Sequence, residues 1–110
     1  MKIFVYGTLK QGHGNHRLLQ ESTKLGADWL AGYKMHSYGG FPVVYQGEGM
    51  IYGEFYEIDD VTLERCDWLE GHPDFYKRVQ DNDPRYGDFW IYIQTEEECQ
   101  HLSEVEGGMW

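Results

Sequence analysis

Residues 2–12 have the sequence Lys2-Ile3-Phe4-Val5-Tyr6-Gly7-Thr8-Leu9-Lys10-Gln11-Gly12. The first five are mostly apolar and predict a short strand that is buried on both faces. The glycines that follow predict a loop over residues 7–14. A strand that runs straight into a glycine turn can aim successive backbone N–H groups at one point, and such a nest binds carboxylate or phosphate without a basic side chain. The stretch therefore predicts a first strand that ends in a candidate anion site.

Two common phosphate-binding motifs do not fit this turn. Gly7 and Gly12 have the spacing of a P-loop, but His13 and Gly14 stand where Lys and Ser or Thr are required. A dinucleotide fingerprint needs GxGxxG, and Arg17 stands at the third glycine position after Gly12. A tight turn that only connects two elements explains the same residues, and composition alone favours it. Anion binding is therefore one of two hypotheses for this turn.

The rest of the chain predicts many strands and few helices. Strand patterns cover residues 24–38 (one or two strands), 41–45, 50–58, 76–81 and 88–95. The segment with Pro42 is predicted to be an edge strand, because proline cannot donate to a ladder, and Gly47 and Gly49 are predicted to turn the chain. Gly53 predicts a bulge or a close backbone approach. The helical segments are too few for a βαβ series, so the predicted fold class is α+β, a small mostly antiparallel or mixed β-barrel with a few flanking short helices.

Two helix starts and one frayed end are predicted. Asn15 is a candidate N-cap for a short helix, and Asp59 or Asp60 is the candidate for a helix over residues 61–70. The inward positions of that second helix are Leu63, Cys66 and Leu69, which have helical spacing. Near the end of the chain, Gly107-Gly108 is expected to fray.

Glu70 is the candidate acid–base group. Glu70 ends the predicted helix and precedes Gly71, a suitable C-cap. The helix dipole disfavours a carboxylate at that end, so it should raise the pKa of Glu70, and partial burial would raise that pKa further. A raised pKa suits a general base or acid near neutral pH. The residues alone still favour an exposed Glu70, one of nineteen acidic residues, and a solvent-facing Glu54 on its strand.

Composition limits the classes of partner. The chain has 110 residues, which predicts a single domain over residues 1–110. Nineteen acidic residues against nine basic ones leave a net charge of −10, which repels phosphate backbones and argues against nucleic-acid binding. The electrostatic field of this net negative charge also repels an anionic substrate, so local backbone dipoles would have to attract one.

Membrane and secretion signals are not found in the sequence. No apolar run reaches the length of a membrane span, and no charged-then-apolar leader is seen. Cys66 and Cys99 form neither a disulfide framework nor a CxxC pair, so a reduced, cytoplasmic compartment is predicted. His13 and His16 have no nearby ligands to complete a metal set and are expected to be solvated. The pattern does not decide the oligomeric state, and a monomer is the working expectation.

The order and spacing of four stretches of the chain form a distinctive pattern. These stretches are Phe4–Gly12 with Asn15–Leu19, Phe41–Val44, Gly53–Ile58, and Leu69–Gly71 leading to Tyr76–Arg78. In order and spacing they resemble the γ-glutamylcyclotransferase-like family, and within it the γ-glutamylamine cyclotransferase branch. The resemblance runs from residue 2 to about residue 95.

This resemblance implies a fold, a reaction and site residues. It implies a small mixed barrel, and an enzyme that converts a γ-glutamyl amine or related γ-glutamyl compound to 5-oxoproline and a free amine without metal or organic cofactor. It implies that Glu70 transfers the proton. The substrate-binding residues that it implies are Tyr6, Gly7, Thr8, Leu9 and Tyr76. The anion-binding turn and a catalytic Glu70 therefore become the preferred interpretations.

Two alternatives to this reaction are kept. The same pocket would serve a non-catalytic module that binds a small carboxylate, with Glu70 idle. A related γ-glutamyl acyl transfer on another substrate is the second alternative. A binding module has no need of an acid with a raised pKa, so the pKa of Glu70 separates the first alternative from an enzyme.

Overall fold

The computed structural model describes residues 1–110, whose strands form one curled sheet. The strands are β1 Lys2–Val5, β2 Thr23–Ser37, β3 Pro42–Glu57, β4 Lys77–Asp83, β5 Gly87–Ile93 and β6 Ser103–Glu104. The helices are α1 Asp60–Glu70, α2 Glu96–Cys99 and a 3₁₀ helix His16–Leu19. The spatial order is β4-β5-β1-β3-β2-β6, and only β1 and β5 pair in parallel. This mixed half-barrel with short helices confirms the predicted fold class.

Strand β1 lies inside the sheet and is buried on both faces, as predicted. Ile3 and Val5 on one face belong to the same apolar cluster as Leu63 of α1. Phe4 on the other face packs against Phe55, with ring centroids 4.7 Å apart. Alternating side chains of a strand point to opposite faces, so a short strand is enough to anchor the chain in two separate cores. The turn that follows β1 therefore begins from a fixed point.

The predicted edge strand and glycine turn are wrong. Residues 42–57 form one sixteen-residue strand, β3, which lies between β1 and β2. Pro42 is tolerated because it is the first residue of that strand, where a missing N–H costs least. Residues 47–49 do not reverse the chain. They lie between the successive pairs Tyr33–Gln46 and Ala31–Met50, as an irregularity in an otherwise continuous ladder.

Gly53 marks the close backbone approach that the sequence predicts. A Cβ atom at this position would collide with the carbonyl oxygen of Val5 and would lie 2.6 Å from the ring of Phe4. Only glycine lets β3 come this near to β1. The residue therefore sets the distance between the strand that precedes the turn and its neighbour.

Helix α1 begins and ends as the sequence predicts. The carboxylate of Asp59 accepts a hydrogen bond from the N–H of Thr62 at 2.8 Å, which makes Asp59 the N-cap. Gly71 has a φ of 67° in the left-handed region, and its N–H bonds the carbonyls of Asp67 and Trp68. Glycine adopts this conformation without strain, so the helix ends directly after Glu70.

The predicted fraying at Gly107-Gly108 is wrong. The N–H of Gly108 donates to the carbonyl of Val105 at 3.1 Å, and its own carbonyl accepts from the N–H of Tyr52 at 2.8 Å. The Lys10 ammonium donates to the carbonyl of Trp110 at 2.9 Å. Pairing of β6 with β2 brings this segment onto the sheet, and a two-residue strand has no pattern by which the sequence would show it.

None of the helices combines the length and apolar character that crossing a membrane requires.

Candidate active site

The turn after β1 presents unpaired backbone donors. The N–H groups of Gly7, Thr8 and Leu9 have no acceptor within the chain, while the N–H of Lys10 closes the turn onto the Gly7 carbonyl at 3.0 Å. Gly7 and Leu9 are buried and Thr8 is half-buried. Adjacent unpaired N–H groups carry partial positive charge and favour an anion. The turn can therefore accept a carboxylate or a developing oxyanion.

Side chains from the next segment hold this turn in place. The Asn15 side-chain amide donates to Thr8 Oγ1 at 2.9 Å, and the Asn15 N–H donates to the Thr8 carbonyl at 3.0 Å. His16 Nδ1 lies 2.9 Å from the Leu9 carbonyl oxygen. Asn15 stands at the N-cap position of the 3₁₀ helix, as predicted, but its side chain makes no capping hydrogen bond and ties the turn together instead. His16 is half-buried against Tyr56, so the prediction of a solvated histidine fails there.

Glu54 supports the turn from β3, and its predicted solvent-facing position is wrong. It is 8% exposed, and its carboxylate accepts the N–H of Gln11 at 2.8 Å and the hydroxyl of Tyr56 at 2.9 Å. Burial acts to raise the pKa of Glu54, but the hydrogen bonds from Gln11 and Tyr56 and the nearby Lys24 ammonium lower it overall. Glu54 is therefore a buried, ionised anchor for the turn.

Removing this anchor is expected to destabilise the protein. In Glu54→Leu the donors of Gln11 and Tyr56 lose their acceptor, which should lower the free energy of unfolding by about 1–3 kcal/mol. Glu54→Gln retains an acceptor oxygen and should lose less. Lys24→Met removes only a 3.5 Å, partly exposed ion pair and should change little. Urea denaturation of the three variants tests this, and equal losses in Glu54→Leu and Lys24→Met would contradict it.

Gly7 brings the turn against the start of β3. A Cβ atom on Gly7 would lie 2.8 Å from Pro42 Cγ and 2.9 Å from Pro42 Cδ, which is too close for any other residue without a shift. This contact places the turn beside residues 40–42, which line the same pocket.

Glu70 reaches the pocket from the end of α1. Its side chain is half-buried, and its carboxylate has no hydrogen-bond partner within the chain. Burial raises the pKa of Glu70 to about 7. The sequence predicts this direction but puts the helix dipole first, whereas burial is the cause that acts here. A carboxyl group with this pKa exchanges a proton readily at neutral pH.

Tyr76 is linked to Glu70 through the backbone. The N–H of Tyr76 donates to the Glu70 carbonyl at 3.3 Å across the turn that Gly71 starts. The hydroxyl of Tyr76 donates to the Pro42 carbonyl at 2.6 Å, and that of Tyr6 donates to the Tyr92 carbonyl at 2.6 Å. Burial raises the pKa of both tyrosines well above the ordinary value. Both hydroxyls stay protonated and tie pocket walls together, and their rings form the pocket surface.

A polar network lies on α1 one turn before Glu70. Asp67 accepts the hydroxyl of Tyr92 at 2.7 Å, and Arg78 Nε lies 2.9 Å from the same carboxylate oxygen. The Nε–H of Arg78 does not point at the oxygen, so this contact is an ion pair and not a hydrogen bond. The Arg78 guanidinium also stacks on Trp90, 4.2 Å from the ring centre. Sequence reasoning missed this network, because its members come from three elements.

These parts surround one pocket of about 410 Å³. The lining residues are Phe4, Val5, Tyr6, Gly7, Thr8, Leu9, Asn15, Gly40, Phe41, Pro42, Leu69, Glu70, Phe75, Tyr76 and Tyr92. All six predicted site residues are among them, so the structure brings together Glu70, the turn and Tyr76. Sequence reasoning missed the site positions of Asn15, Phe41, Phe75 and Tyr92. A signal for Phe41 was present, since the family resemblance includes residues 41–44.

The profile of the family described as gamma-glutamyl cyclotransferase, AIG2-like, matches residues 3–110. The chain belongs to this cyclotransferase family. The predicted family and the prediction of an enzyme of the γ-glutamylcyclotransferase type are therefore confirmed.

Three proteins illustrate how far the likeness to this AIG2-like family extends. A Vibrio cholerae protein is 38% identical over 109 residues, which cover 98% of this chain and 93% of the relative. The Niallia circulans gamma-L-glutamyl-butirosin B gamma-glutamyl cyclotransferase is 38% identical over 69 residues, 62% of this chain and 44% of that enzyme. The solution structure of Escherichia coli YtfP matches with a TM-score of 0.78 and 35% identity, covering 100% of this chain and 96% of that one. Both the sequence and the fold are thus typical of the cyclotransferase family.

Proposed function

We propose that this protein converts a γ-glutamyl amine or related γ-glutamyl compound to 5-oxoproline and the free amine, with Glu70 as the acid–base catalyst. The observation that carries the proposal is that one pocket holds both a carboxyl group with a pKa of about 7 and three unpaired backbone donors. Family membership supports the reaction type. The name of the Niallia circulans relative, which specifies a γ-glutamyl cyclotransferase, supports a γ-glutamyl substrate.

The turn is the proposed binding site for negative charge on the substrate. A γ-glutamyl compound carries an α-carboxylate, and its carbonyl oxygen becomes negative when the ring closes. The N–H groups of Gly7, Thr8 and Leu9 suit either anion, because backbone dipoles held in place need no reorganisation during the reaction. Asn15 and Glu54 hold the turn before the substrate arrives.

Glu70 is proposed to move the protons. It takes a proton from the α-ammonium, and the freed nitrogen attacks the γ-carbonyl carbon of the same molecule. The new C–N bond closes a five-membered ring, and the amide C–N bond to the leaving amine then breaks. The α-nitrogen gives up two protons in all and the leaving nitrogen gains two, so the amine departs as an ammonium with no net proton release. Both reacting groups belong to one molecule, so holding it folded supplies much of the rate advantage.

Activity is expected to rise with pH through about 7. Glu70 must be ionised to accept a proton, and burial raises the pKa of its carboxyl from 4.5 to about 7. The acidic limb of log kcat/KM against pH should therefore bend near 7, well above the ordinary range of a glutamate. Rates measured from about pH 5 to about pH 9 test this. A profile that is flat below pH 7 would argue against Glu70 as the base.

Release of 5-oxoproline is the direct test of the reaction. The panel is γ-glutamyl-ε-lysine, simple γ-glutamyl amides, γ-glutamyl dipeptides and glutathione. Release that requires Glu70 would establish a cyclotransferase, and the best substrate would identify the leaving amine. Binding of panel members by folded protein without release would favour the module that binds a small carboxylate, and the unpaired donors of the turn are the observation in its favour.

A further inference from the structure

We propose that the leaving amine carries an apolar, preferably aromatic, group and no carboxylate, and that Phe41 and Phe75 select it. This inference rests on the proposed function and specifies the part of the substrate that the turn and Glu70 do not bind.

Three aromatic side chains form a cluster at the pocket mouth, called here the aromatic rim: Tyr38, Phe41 and Phe75. The rings of Tyr38 and Phe41 stack with centroids 5.1 Å apart, and Phe75 meets Phe41 at 5.9 Å and Tyr38 at 5.3 Å, edge to face. Phe41 and Phe75 line the pocket, and Tyr38 supports them from outside. Mutual packing holds the two lining rings in place, so they offer an ordered apolar surface.

The aromatic rim is open to solvent. Phe41 and Phe75 are half-buried and pack at the edge of one apolar cluster, and Tyr38 is 46% exposed. Covering these rings with an apolar group would remove more of their surface from water, which is favourable. A ligand with a hydrocarbon or ring substituent is the chemistry that this surface recognises.

The aromatic rim lies beside both parts of the proposed chemistry. The N–H of Phe75 bonds the Gly71 carbonyl at 2.8 Å, directly after Glu70. Phe41 precedes Pro42, which packs against Gly7 of the turn. A γ-glutamyl group that reaches both the turn and Glu70 therefore places its amide substituent near these two rings.

The charges at the pocket disfavour an acidic leaving group. Glu70 is the only Asp, Glu, Lys, Arg or His among the lining residues. The ammonium of Lys10, next to the turn, is bound to the Trp110 carbonyl. A second carboxylate on the substrate would gain no cationic partner among the lining residues and would be repelled by the carboxylate of Glu70. Amino-acid leaving groups are therefore disfavoured relative to plain amines.

Three γ-glutamyl compounds distinguish the effect of an aromatic ring on the leaving amine from the effect of a carboxylate. They are the ethylamide, the phenethylamide and γ-glutamylphenylalanine, which is the phenethylamide with a carboxylate added. We expect kcat/KM for the phenethylamide to exceed each of the others by about tenfold or more. Equal or better turnover of the ethylamide would overturn the ring preference, and equal or better turnover of γ-glutamylphenylalanine would overturn the charge preference.

Variants of the aromatic rim test the assigned residues. Phe75→Ala should reduce the ratio of phenethylamide to ethylamide kcat/KM to within about twofold of unity, and Phe75→Leu should retain part of it. Trp68→Ala is the matched control, because Trp68 is an aromatic residue that is 86% exposed and lies outside the pocket lining. An unchanged ratio in Phe75→Ala, with circular dichroism showing a folded protein, would overturn the assignment.

Equilibrium binding separates this inference from the proposed function. Titration of Glu70→Gln protein with the same three compounds should retain the preference for the phenethylamide over the ethylamide without turnover. The preference for the phenethylamide over γ-glutamylphenylalanine should shrink in this variant, because the charge of Glu70 is removed. If neither these compounds nor the wider panel of γ-glutamyl substrates releases 5-oxoproline from the native protein, the proposed function fails. The affinity order still decides the inference in that case, because an absent preference for the phenethylamide contradicts it and a clear preference supports it.

Discussion

Replacement of Glu70 by glutamine is expected to lower kcat by about 10²–10⁴-fold, the usual contribution of a positioned general acid or base. Glutamine has nearly the same shape but cannot accept the proton of the α-ammonium at neutral pH. The carboxylate of Glu70 makes no hydrogen bond within the chain, so the amide should leave the pocket walls undisturbed. Release of 5-oxoproline by the variant and the native protein, compared at pH 8, is the measurement.

The Glu70→Gln variant, which is expected to lose turnover, is also expected to be more stable than the native protein. Burial raises the pKa of Glu70 to about 7, so the folded state favours the protonated form. Between the ordinary glutamate pKa and about 7 the folded protein binds more protons than the unfolded chain, so this residue makes the protein less stable as the pH rises. Glu70→Gln removes that penalty and should melt at a higher temperature than native protein above pH 7.

Glu64→Gln is the matched control for both measurements, because Glu64 lies on the exposed side of the same helix. It should change neither turnover nor the melting temperature appreciably. Turnover by Glu70→Gln close to that of Glu64→Gln would remove Glu70 from the mechanism.

Gly53→Ala is expected to cause a large loss of stability from a single methyl group. The added Cβ atom meets the carbonyl oxygen of Val5 and the ring of Phe4, and both belong to a strand that is buried on both faces. Neither neighbour can move away easily, so the free energy of unfolding should fall by about 1–3 kcal/mol or more. Because Val5 lies just before the turn, KM for any γ-glutamyl substrate should rise as well.

Gly47→Ala on the same strand is the comparison for this prediction. There the added atom would lie 3.4 Å from the ring of Tyr45 and 3.7 Å from Lys34, which are ordinary van der Waals contacts. Urea denaturation should separate the two variants clearly. Coincident unfolding midpoints would show that β1 and β3 do not depend on glycine for their close approach.

The parts of the fold that could be predicted are those with local signals. Asp59 and Gly71 bound α1 because capping depends on residues within one turn of the helix. Strand β1 was predictable because a short apolar run that stops at glycines is typical of a buried strand. The long strand β3 was divided into two, because Gly47 and Gly49 give the same local signal in a ladder irregularity as in a turn.

In the site, as in the fold, features with local sequence signals were predicted and features that depend on distant partners were missed. The turn and Glu70 were found from nearby residues together with family resemblance, and they meet at one pocket. The burial of Glu54 and the bonds of Asn15 were missed, because each depends on a partner that the folded chain brings near. The substrate branch, a monomeric state and a cytoplasmic location stay predictions.

The placement of the two rim phenylalanines has an evolutionary consequence. Phe41 and Phe75 lie in connections just before β3 and β4, whereas Glu70 is fixed to a helix end and the turn is fixed to a doubly buried strand. Connections of this kind accept substitution and changes of length more readily than the elements they join. Descendants of one ancestral protein would thus acquire new leaving groups by exchanging two short loops, with the ring-closing chemistry inherited unchanged. Grafting residues 38–41 and 72–75 between members is a direct way to redesign selectivity.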